Sequence, residues 1–310
     1  MSLLTYSAAM PWAESIREQL TSEAMPPWFA DPTGPGVKGG HHLPAREMDM
    51  LLTWATGGAP EGDSAQVPAP AGPRPEWSGG KPDLVVETGV ATLGVGVIED
   101  AKEFVVPTAL TSERWVRAVD VEPGTPSMVR AVTVSLEGEA GVLCAWVPGH
   151  DTADTPSGSA FRVPASARLL VRIQYHKHWE DEREVRSDRS RIGLYFTEEP
   201  VSGRGIDAMT TEAGSLPGAI RVLAVRPRVS QAYDSIAADA VLPDARRIPL
   251  LRLHRPRPSW DRRYWLAESL DLPVGTRLEV TTTPSTDDSV GAEPATGATA
   301  PIVELDYVAL

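Results

Sequence analysis

Apolar residues recur with a helical period over the first sixty residues of the chain. Trp12, Ile16 and Leu20 are spaced four residues apart, which places them on one face of a helix. A second helix is predicted to begin at Pro44 and to end at Gly57. Two helices this short bury too little apolar surface to form a core alone. We therefore expect them to pack on another part of the protein or to be the remnant of a larger helical domain.

From residue 83 onward apolar residues alternate with polar ones, which is the period of a β-strand. The alternating segments are residues 115–121, 128–136, 141–147, 169–175, 220–225, 248–253, 264–268, 277–283 and 302–308. Turn residues such as Glu122-Pro123-Gly124 separate them, and short strands at this spacing favour antiparallel β-sandwiches. The pattern predicts a mainly β protein. Its expected parts are a helical piece at 1–62, a proline-rich linker at 63–82, and sandwiches at 83–200 and 201–310.

Composition narrows the classes of function. The 310 residues include 29 prolines and 26 glycines, which fits many turns and few long helices. The formal net charge of −13 disfavours a nucleic-acid partner, because phosphate contacts need a basic surface. No apolar run reaches the ~18 residues of a transmembrane segment. The first residues lack the basic and apolar regions of an export signal. We expect a cytoplasmic protein, one whose true start lies upstream, or one exported with a partner.

The supply of metal-binding side chains is small. Cys144 is the one cysteine, which excludes an internal disulfide, a cysteine-based zinc site and the two-cysteine attachment of haem. It lies within an alternating segment, so we expect it to behave as a small buried apolar residue. The histidines are His41, His42, His150, His176, His178 and His254.

Motifs spread over nearly the whole chain resemble one group of bacterial exported proteins. They include Met25-Pro26-Pro27-Trp28, Glu122-Pro123-Gly124 and Ile173-Gln174-Tyr175. The first and last of these extend over residues 25–32 and 173–179, and the others lie at residue 77 and at residues 1–6, 11–13, 16–19, 57–63, 81–83, 104–107, 114–117, 148–149, 163–165, 188–196 and 272–278. Members of that group join a small cytochrome c domain to a copper type II, ascorbate-dependent monooxygenase-like module, similar to peptidylglycine α-hydroxylating and dopamine β-monooxygenases. The resemblance implies two tandem jelly-roll-like antiparallel β-sandwiches, each carrying one copper, after a helical cytochrome-c-like remnant.

The residues at the family's copper positions differ from the family's ligands. Arg130, Ala131 and Gln174 stand where the resemblance places the three histidines of the first site. Leu305 stands at the methionine of the second site, and residues 233–240 contain no histidine. A guanidinium is not a metal ligand, and an amide is a poor one beside imidazole.

The haem site of the family is also altered. The Cys-x-x-Cys-His attachment motif is absent, and Met25, which matches the family's axial methionine, has no haem to bind. We therefore expect neither copper nor haem as a cofactor, and no catalytic residue.

His176 and His178 are the alternative metal ligands. At i and i+2 on a strand they would face the same side, as two ligands of one metal do. The competing interpretation is that they are exposed polar residues beside the acidic run 180–182. His41 and His42 form a second candidate pair, while His150 and His254 are expected to be solvated.

One basic run also allows two interpretations. It contains Arg252, Arg255, Arg257, Arg262 and Arg263, mixed with Trp260 and Tyr264. The run could dock an acidic partner or an anion, or it could be a salt-bridged sheet edge.

Retained framework motifs with altered ligand positions predict a non-catalytic structural or interaction protein, a pseudoenzyme of the copper monooxygenase type. By analogy with the family, we expect an accessory subunit of a periplasmic or other extracytoplasmic electron-transfer assembly, respiratory or photosynthetic. Its partners would be other protein subunits, such as a membrane-bound redox complex or a cytochrome. Two alternatives stay open: a copper-dependent monooxygenase with ligands relocated to His176 and His178, and a sandwich that binds a small molecule or glycan on tryptophan-lined surfaces.

Overall fold

The structure is a computed structural model. It describes residues 3, 5–22, 30–31, 33–39, 43–66, 75–139, 141–149, 153–200, 203–210, 214–229, 231, 233–256, 262–285 and 301–310. This part of the chain is mainly β with antiparallel sheets, which confirms the prediction from the alternation. The chain divides into a helical unit, residues 1–29 and 39–74, and a strand-rich unit, residues 30–38 and 75–310. Met25, His41, His42 and His150 lie outside the described residues.

The helical unit contains α1 (Tyr6–Ala9), α2 (Ala13–Thr21) and α3 (Ala45–Thr56), with 3₁₀ turns at Met10–Trp12 and Ser64–Gln66. Among the described residues of these three helices, Leu20 is the one that is buried. The Tyr6 hydroxyl donates a hydrogen bond to the Ala59 carbonyl at 3.0 Å, and the Trp54 indole donates one to the Pro60 carbonyl at 3.1 Å. The unit is therefore held by a few polar contacts around a small apolar core.

The strands of the strand-rich unit are short and follow one another along the chain. They are β1 (Leu84–Glu87), β2 (Ala91–Leu93), β3 (Glu99–Pro107), β4 (Arg114–Glu122), β5 (Val129–Leu136), β6 (Val142–Trp146), β7 (Phe161–Val163), β8 (Arg168–His176), β9 (Arg186–Asp188), β10 (Arg191–Thr197), β11 (Asp207–Thr210), β12 (Ile220–Arg228), β13 (Tyr233–Val241), β14 (Arg247–His254), β15 (Tyr264–Leu272), β16 (Arg277–Pro284) and β17 (Ile302–Ala309). A 3₁₀ turn at Trp179–Asp181 follows β8.

These strands form two groups of sheets. The first strand group, residues 84–197, contains a sheet ordered β1-β10-β4-β7, a sheet ordered β3-β8-β5-β6 and the pair β2-β9. The second strand group, residues 207–309, contains the sheets β11-β17-β12-β15 and β14-β13-β16. Among the described strands, no sheet takes strands from both groups.

A single apolar cluster connects the groups. Both four-stranded sheets of the first group contribute to it, for example through Val116 and Val171, which are fully buried. Leu223, Ala224 and Trp265 of the second group belong to the same cluster. The two groups therefore share hydrophobic packing.

Residues 30–38 pack on the second group, although the whole first strand group lies between them in the sequence. Ala30 forms a bridge to Leu253 in β14, and Val37 forms one to Leu266 in β15. These two strands are edges of different sheets. Because an exposed edge offers unpaired backbone groups to other chains, this segment protects both edges at once.

Arg263 joins the two groups through a buried guanidinium. Its Nε lies 2.6 Å from Asp306 Oδ2 in β17, and its Nη1 donates to the Leu143 carbonyl in β6 at 2.8 Å. Its Nη2 donates to the neighbouring Val142 carbonyl. The guanidinium also lies 5.2 Å from the ring centre of Phe161 and 5.1 Å from that of Trp265. One side chain thus binds strands of both groups.

Replacement of Arg263 by methionine would leave the Asp306 carboxyl buried without its cation. Since breaking a buried ion pair on one side is costly, we expect the free energy of unfolding to fall by about 3–5 kcal/mol. Urea titration followed by circular dichroism measures the change. The double variant Arg263→Met, Asp306→Leu should recover part of the loss, because it buries no lone charge.

Arg221→Met is the matched control, because Arg221 pairs with Asp271 on the surface. We expect it to change stability little. Equal losses for Arg221→Met and Arg263→Met would contradict the role given to Arg263.

Gly193 in β10 allows close packing by the segment that precedes β1. A Cβ at this position would lie 2.5 Å from Pro82 Cγ and 2.8 Å from Trp77 Cζ3. We therefore expect Gly193→Ala to lower the free energy of unfolding by about 1–3 kcal/mol through overpacking. Gly218→Ala, where the added Cβ meets nothing within 4 Å, is the control in the same denaturation experiment. A Gly193→Ala variant as stable as this control would contradict the packing argument.

Candidate functional site

The structure brings together three of the four positions at which the sequence resemblance places copper ligands. Ala131 in β5 is the direct cross-strand partner of Gln174 in β8. The register shifts between Val129 and Ala131, so Arg130 occupies a bulge beside this pair. Arg130 Nη1 donates to the Ser127 carbonyl at 3.0 Å, and burial lowers the pKa of its guanidinium. A guanidinium, a methyl group and an amide therefore share one place in the sheet, and this set does not suit copper.

Leu305, the fourth position, lies in a different sheet. It is fully buried in β17, opposite Met209 of β11 and Val225 of β12. Its surroundings are those of an ordinary core leucine, and its side chain offers no ligand atom. Leu305 therefore does not fit the second copper that the resemblance implies.

Gln174 and the residue next to Leu305, Glu304, line one cavity. We call it the polar cavity. Its volume is about 620 Å³. Its walls come from β3, β5, β6 and β8 of the first strand group and from β12 and β17 of the second. The lining side chains include Lys102, Glu103, Thr133, Ser135, Glu139, Arg172, Gln174, Arg226, Arg228 and Glu304.

Most charges in the wall of the polar cavity are paired. Arg172 Nε lies 2.5 Å from Glu103 Oε2 across the strands β8 and β3. Arg226 Nη1 lies 3.3 Å from Glu304 Oε2, and both side chains are about 5% exposed. Burial raises the pKa of the Glu304 carboxyl, while the charge of Arg226 opposes that rise. The cavity is thus a charged, hydrogen-bonding space rather than an apolar one.

The structure separates His176 and His178. His176 is the last residue of β8, and its Nδ1 lies 2.7 Å from Glu99 Oε1. His178 lies beyond the strand, where its Nδ1 is 3.5 Å from Glu180 Oε2. Each imidazole therefore faces its own carboxylate. Within the described ranges, no group of three or more His, Cys, Asp or Glu side chains could hold a metal ion.

The basic run is largely buried or paired, which favours its structural interpretation. Arg252 contacts the Asp239 carboxylate at 2.5 Å, and Arg263 forms the buried pair with Asp306. Arg262 is buried, with its guanidinium 5.9 Å from the ring centre of Tyr264. Arg257 and Trp260 lie outside the described residues. The described arginines of this run therefore do not form an open docking patch.

Sequence reasoning missed the residues that shape the cavity from the second strand group. Arg226 and Arg228 lie within an apolar segment of β12, and Glu304 and Asp306 alternate with apolar residues in β17. The charged face of such a strand is normally solvated. The sequence does show arginines at alternate positions of β12 and carboxylates at alternate positions of β17. Only the pairing of β12 with β17 shows that Arg226 lies opposite Glu304.

Among the described residues, no helix is long and apolar enough to cross a membrane.

Cys144 lies in β6 near the guanidinium of Arg263. Although the residue is partly exposed, burial raises the pKa of its thiol to about 12. Since the thiolate is the reactive form, we expect almost no alkylation of the folded protein by iodoacetamide at pH ~8. Denatured protein should react at the rate of a free thiol. Intact-mass measurement over time checks this, and equal rates for folded and denatured chains would show that the thiol is accessible and ionisable.

No family model and no curated protein matches the chain. Among solved structures, the chain is similar to a xanthan lyase from Paenibacillus, at 8% identity and a TM-score of 0.20. The match covers 71% of this chain and 25% of that protein, so the chain spans about a quarter of the length of the lyase. A similarity at this level carries no argument about fold or activity.

Proposed function

We propose that this protein is a non-catalytic structural or interaction protein built on a degenerate copper-monooxygenase scaffold. The observation that supports the proposal is the arrangement around Gln174. Ala131 is its register partner, and Arg130 lies at the adjoining bulge. The sheet thus holds the three positions together, while their side chains supply no good copper ligand.

The same proposal includes the finer architecture. We propose that the two strand groups are two tandem jelly-roll-like sandwiches and that the helical unit is a cytochrome-c-like remnant. The division of the sheets between residues 84–197 and 207–309 supports two sandwiches. The sequence resemblance supports the jelly-roll topology and the origin of the helices.

The proposed setting is an accessory position in an extracytoplasmic electron-transfer assembly, with other protein subunits as partners. The support for this setting is that the proteins this sequence resembles are exported and carry redox domains, a cytochrome c domain and a copper module. Purification of the tagged chain from its source cells, followed by mass spectrometry, tests it. Stoichiometric recovery with a cofactor-bearing subunit is expected, and recovery as a lone periplasmic or cytoplasmic protein would contradict it.

Copper loading separates the proposal from a copper enzyme. We expect purified protein that is incubated with Cu(II) and then desalted to retain less than one copper per chain, because Arg130, Ala131, Gln174 and Leu305 are not copper ligands. Elemental analysis and ascorbate-dependent oxygen uptake are the measurements. Stoichiometric copper together with oxygen uptake would overturn the proposal.

A histidine series identifies relocated ligands if copper does bind. The variant His176→Ala, His178→Ala removes the candidate pair, and His254→Ala removes one exposed histidine from β14 as a control. Loss of copper and of oxygen uptake in the double variant alone would favour the relocated-site enzyme. Equal retention in all three proteins would remove that alternative.

A further inference from the structure

Two loops of the first strand group lie side by side beyond the end of β8. Residues 94–98 join β2 to β3, and residues 177–185 join β8 to β9. The Gly96 amide donates to the Glu182 carbonyl at 2.8 Å, so the two backbones are in direct contact. We call residues 94–98 and 177–185 the paired loops.

A fully buried lysine ties the paired loops together. The side chain of Lys177 has no exposed surface, and its ammonium group donates to the carbonyls of Gly94 and Glu184, each at 2.8 Å. An ammonium group is costly to bury unless it is hydrogen-bonded, so these two bonds fix the loops relative to each other. Val95 and Val185 directly follow the two acceptor residues and therefore come from neighbouring stretches of backbone.

The paired loops leave large apolar side chains in water. Trp179 is 72% exposed, Val95 is 63% exposed and Val185 is 60% exposed. The other tryptophans that are described in the strand-rich unit are all buried, namely Trp77, Trp115, Trp146 and Trp265. Exposed tryptophans on a fixed backbone are typical of protein interfaces, because the indole covers a large area and loses little freedom on binding.

The charge around these apolar side chains is mainly negative. Glu99, which begins β3, is exposed, and so are Glu180 and Glu182. Of the two described cations in the paired loops, Lys177 is buried and Arg183 is exposed. The surface therefore combines apolar groups with an excess of carboxylates.

We infer that the paired loops bind a different protein subunit, one that surrounds a site for the Trp179 indole with lysine and arginine side chains. Those cations pair with Glu180 and Glu182, and a cation over the indole adds a cation–π contact. A second copy of the chain, docked through the same loops, brings like carboxylates together and is disfavoured. The inference rests on the proposed function, since it names the surface that holds a partner subunit.

Carbodiimide cross-linking of the tagged chain in freshly lysed source cells tests this surface. The reagent joins a carboxylate directly to a lysine amine that it contacts, with loss of water, so the new amide bond marks an ion pair. Mass spectrometry identifies the two residues. We expect Glu180 or Glu182 to be joined to a lysine of another subunit, identified from its peptides.

Apolar variants measure the contribution of the indole. We expect Trp179→Ser to lower recovery of the cross-linked subunit about tenfold or more, and Val95→Ser to lower it less. Val274→Ser is the matched control, because Val274 is 57% exposed and lies in the second strand group. It should leave recovery unchanged.

Charge variants measure the contribution of the carboxylates. The double variant Glu180→Lys, Glu182→Lys should lower recovery about tenfold at low salt. Glu198→Lys, Glu199→Lys makes the same change in net charge on the exposed segment after β10 and should leave recovery unchanged. All the substituted side chains are exposed, and thermal unfolding checks that each variant is folded.

Three results would overturn the inference. They are equal recovery of an identified subunit by the wild-type chain and by Trp179→Ser, cross-links from Glu180 and Glu182 to a second copy only, and Trp179-dependent sedimentation with phosphatidylcholine vesicles in place of any subunit cross-link. Recovery of a subunit that does not depend on Trp179 removes the inference and leaves the proposed function standing. Recovery of no subunit at all removes both.

Discussion

The buried guanidinium of Arg263 is the contact on which the arrangement of the two strand groups depends. A buried charge is tolerated only where it is paired and hydrogen-bonded, so the side chain requires Asp306 and two β6 carbonyls at fixed positions. The rings of Phe161 and Trp265 limit its movement further. With the relative positions of β6 and β17 fixed by these contacts, Glu304 of β17 lies in the wall of the polar cavity.

Charged side chains therefore have two roles between the strand groups. Asp306 and Arg263 are almost fully enclosed, and burial raises the pKa of the Asp306 carboxyl while the arginine opposes that rise. Glu304 is enclosed as well, but one of its oxygens has no hydrogen-bond donor among the described residues. Ion pairs of this kind add little net stability compared with apolar packing, but a shifted register would leave a charge unpaired. Shared apolar packing supplies the attraction between the groups, and the ion pairs limit the ways in which they can meet.

The positions around Gln174 show that strand pairing places few demands on the chemistry of the side chains. Cross-strand pairing with Ala131 depends on backbone hydrogen bonds, which any side chain permits. Metal binding depends on the side chains themselves. The pairing of β5 with β8 is therefore compatible with alanine, arginine and glutamine at these positions, whether or not a metal could bind there.

The sequence by itself determined the local structure. Apolar residues about four positions apart predict the helices that the structure has at Ala13–Thr21 and Ala45–Thr56. Alternating apolar residues predict strands such as β5, β8 and β17, with ends that agree to within about two residues. It also determined that Arg130, Ala131, Gln174 and Leu305 cannot act as good copper ligands, because ligand chemistry belongs to the side chain. It could not place residues 30–38 on the edges of β14 and β15, since such contacts join distant parts of the chain.

Only the tertiary structure decided which charged residues are enclosed. Glu304 and Asp306 alternate with apolar residues, and the same alternation describes a strand whose polar face is in water. The same limit applies to His176 and His178. Their spacing would suit one metal if both lay on a strand, but β8 ends at His176 and His178 lies beyond it. Alternation specifies which side chains share a face, whereas the partner of that face is set by packing against residues far away in the sequence.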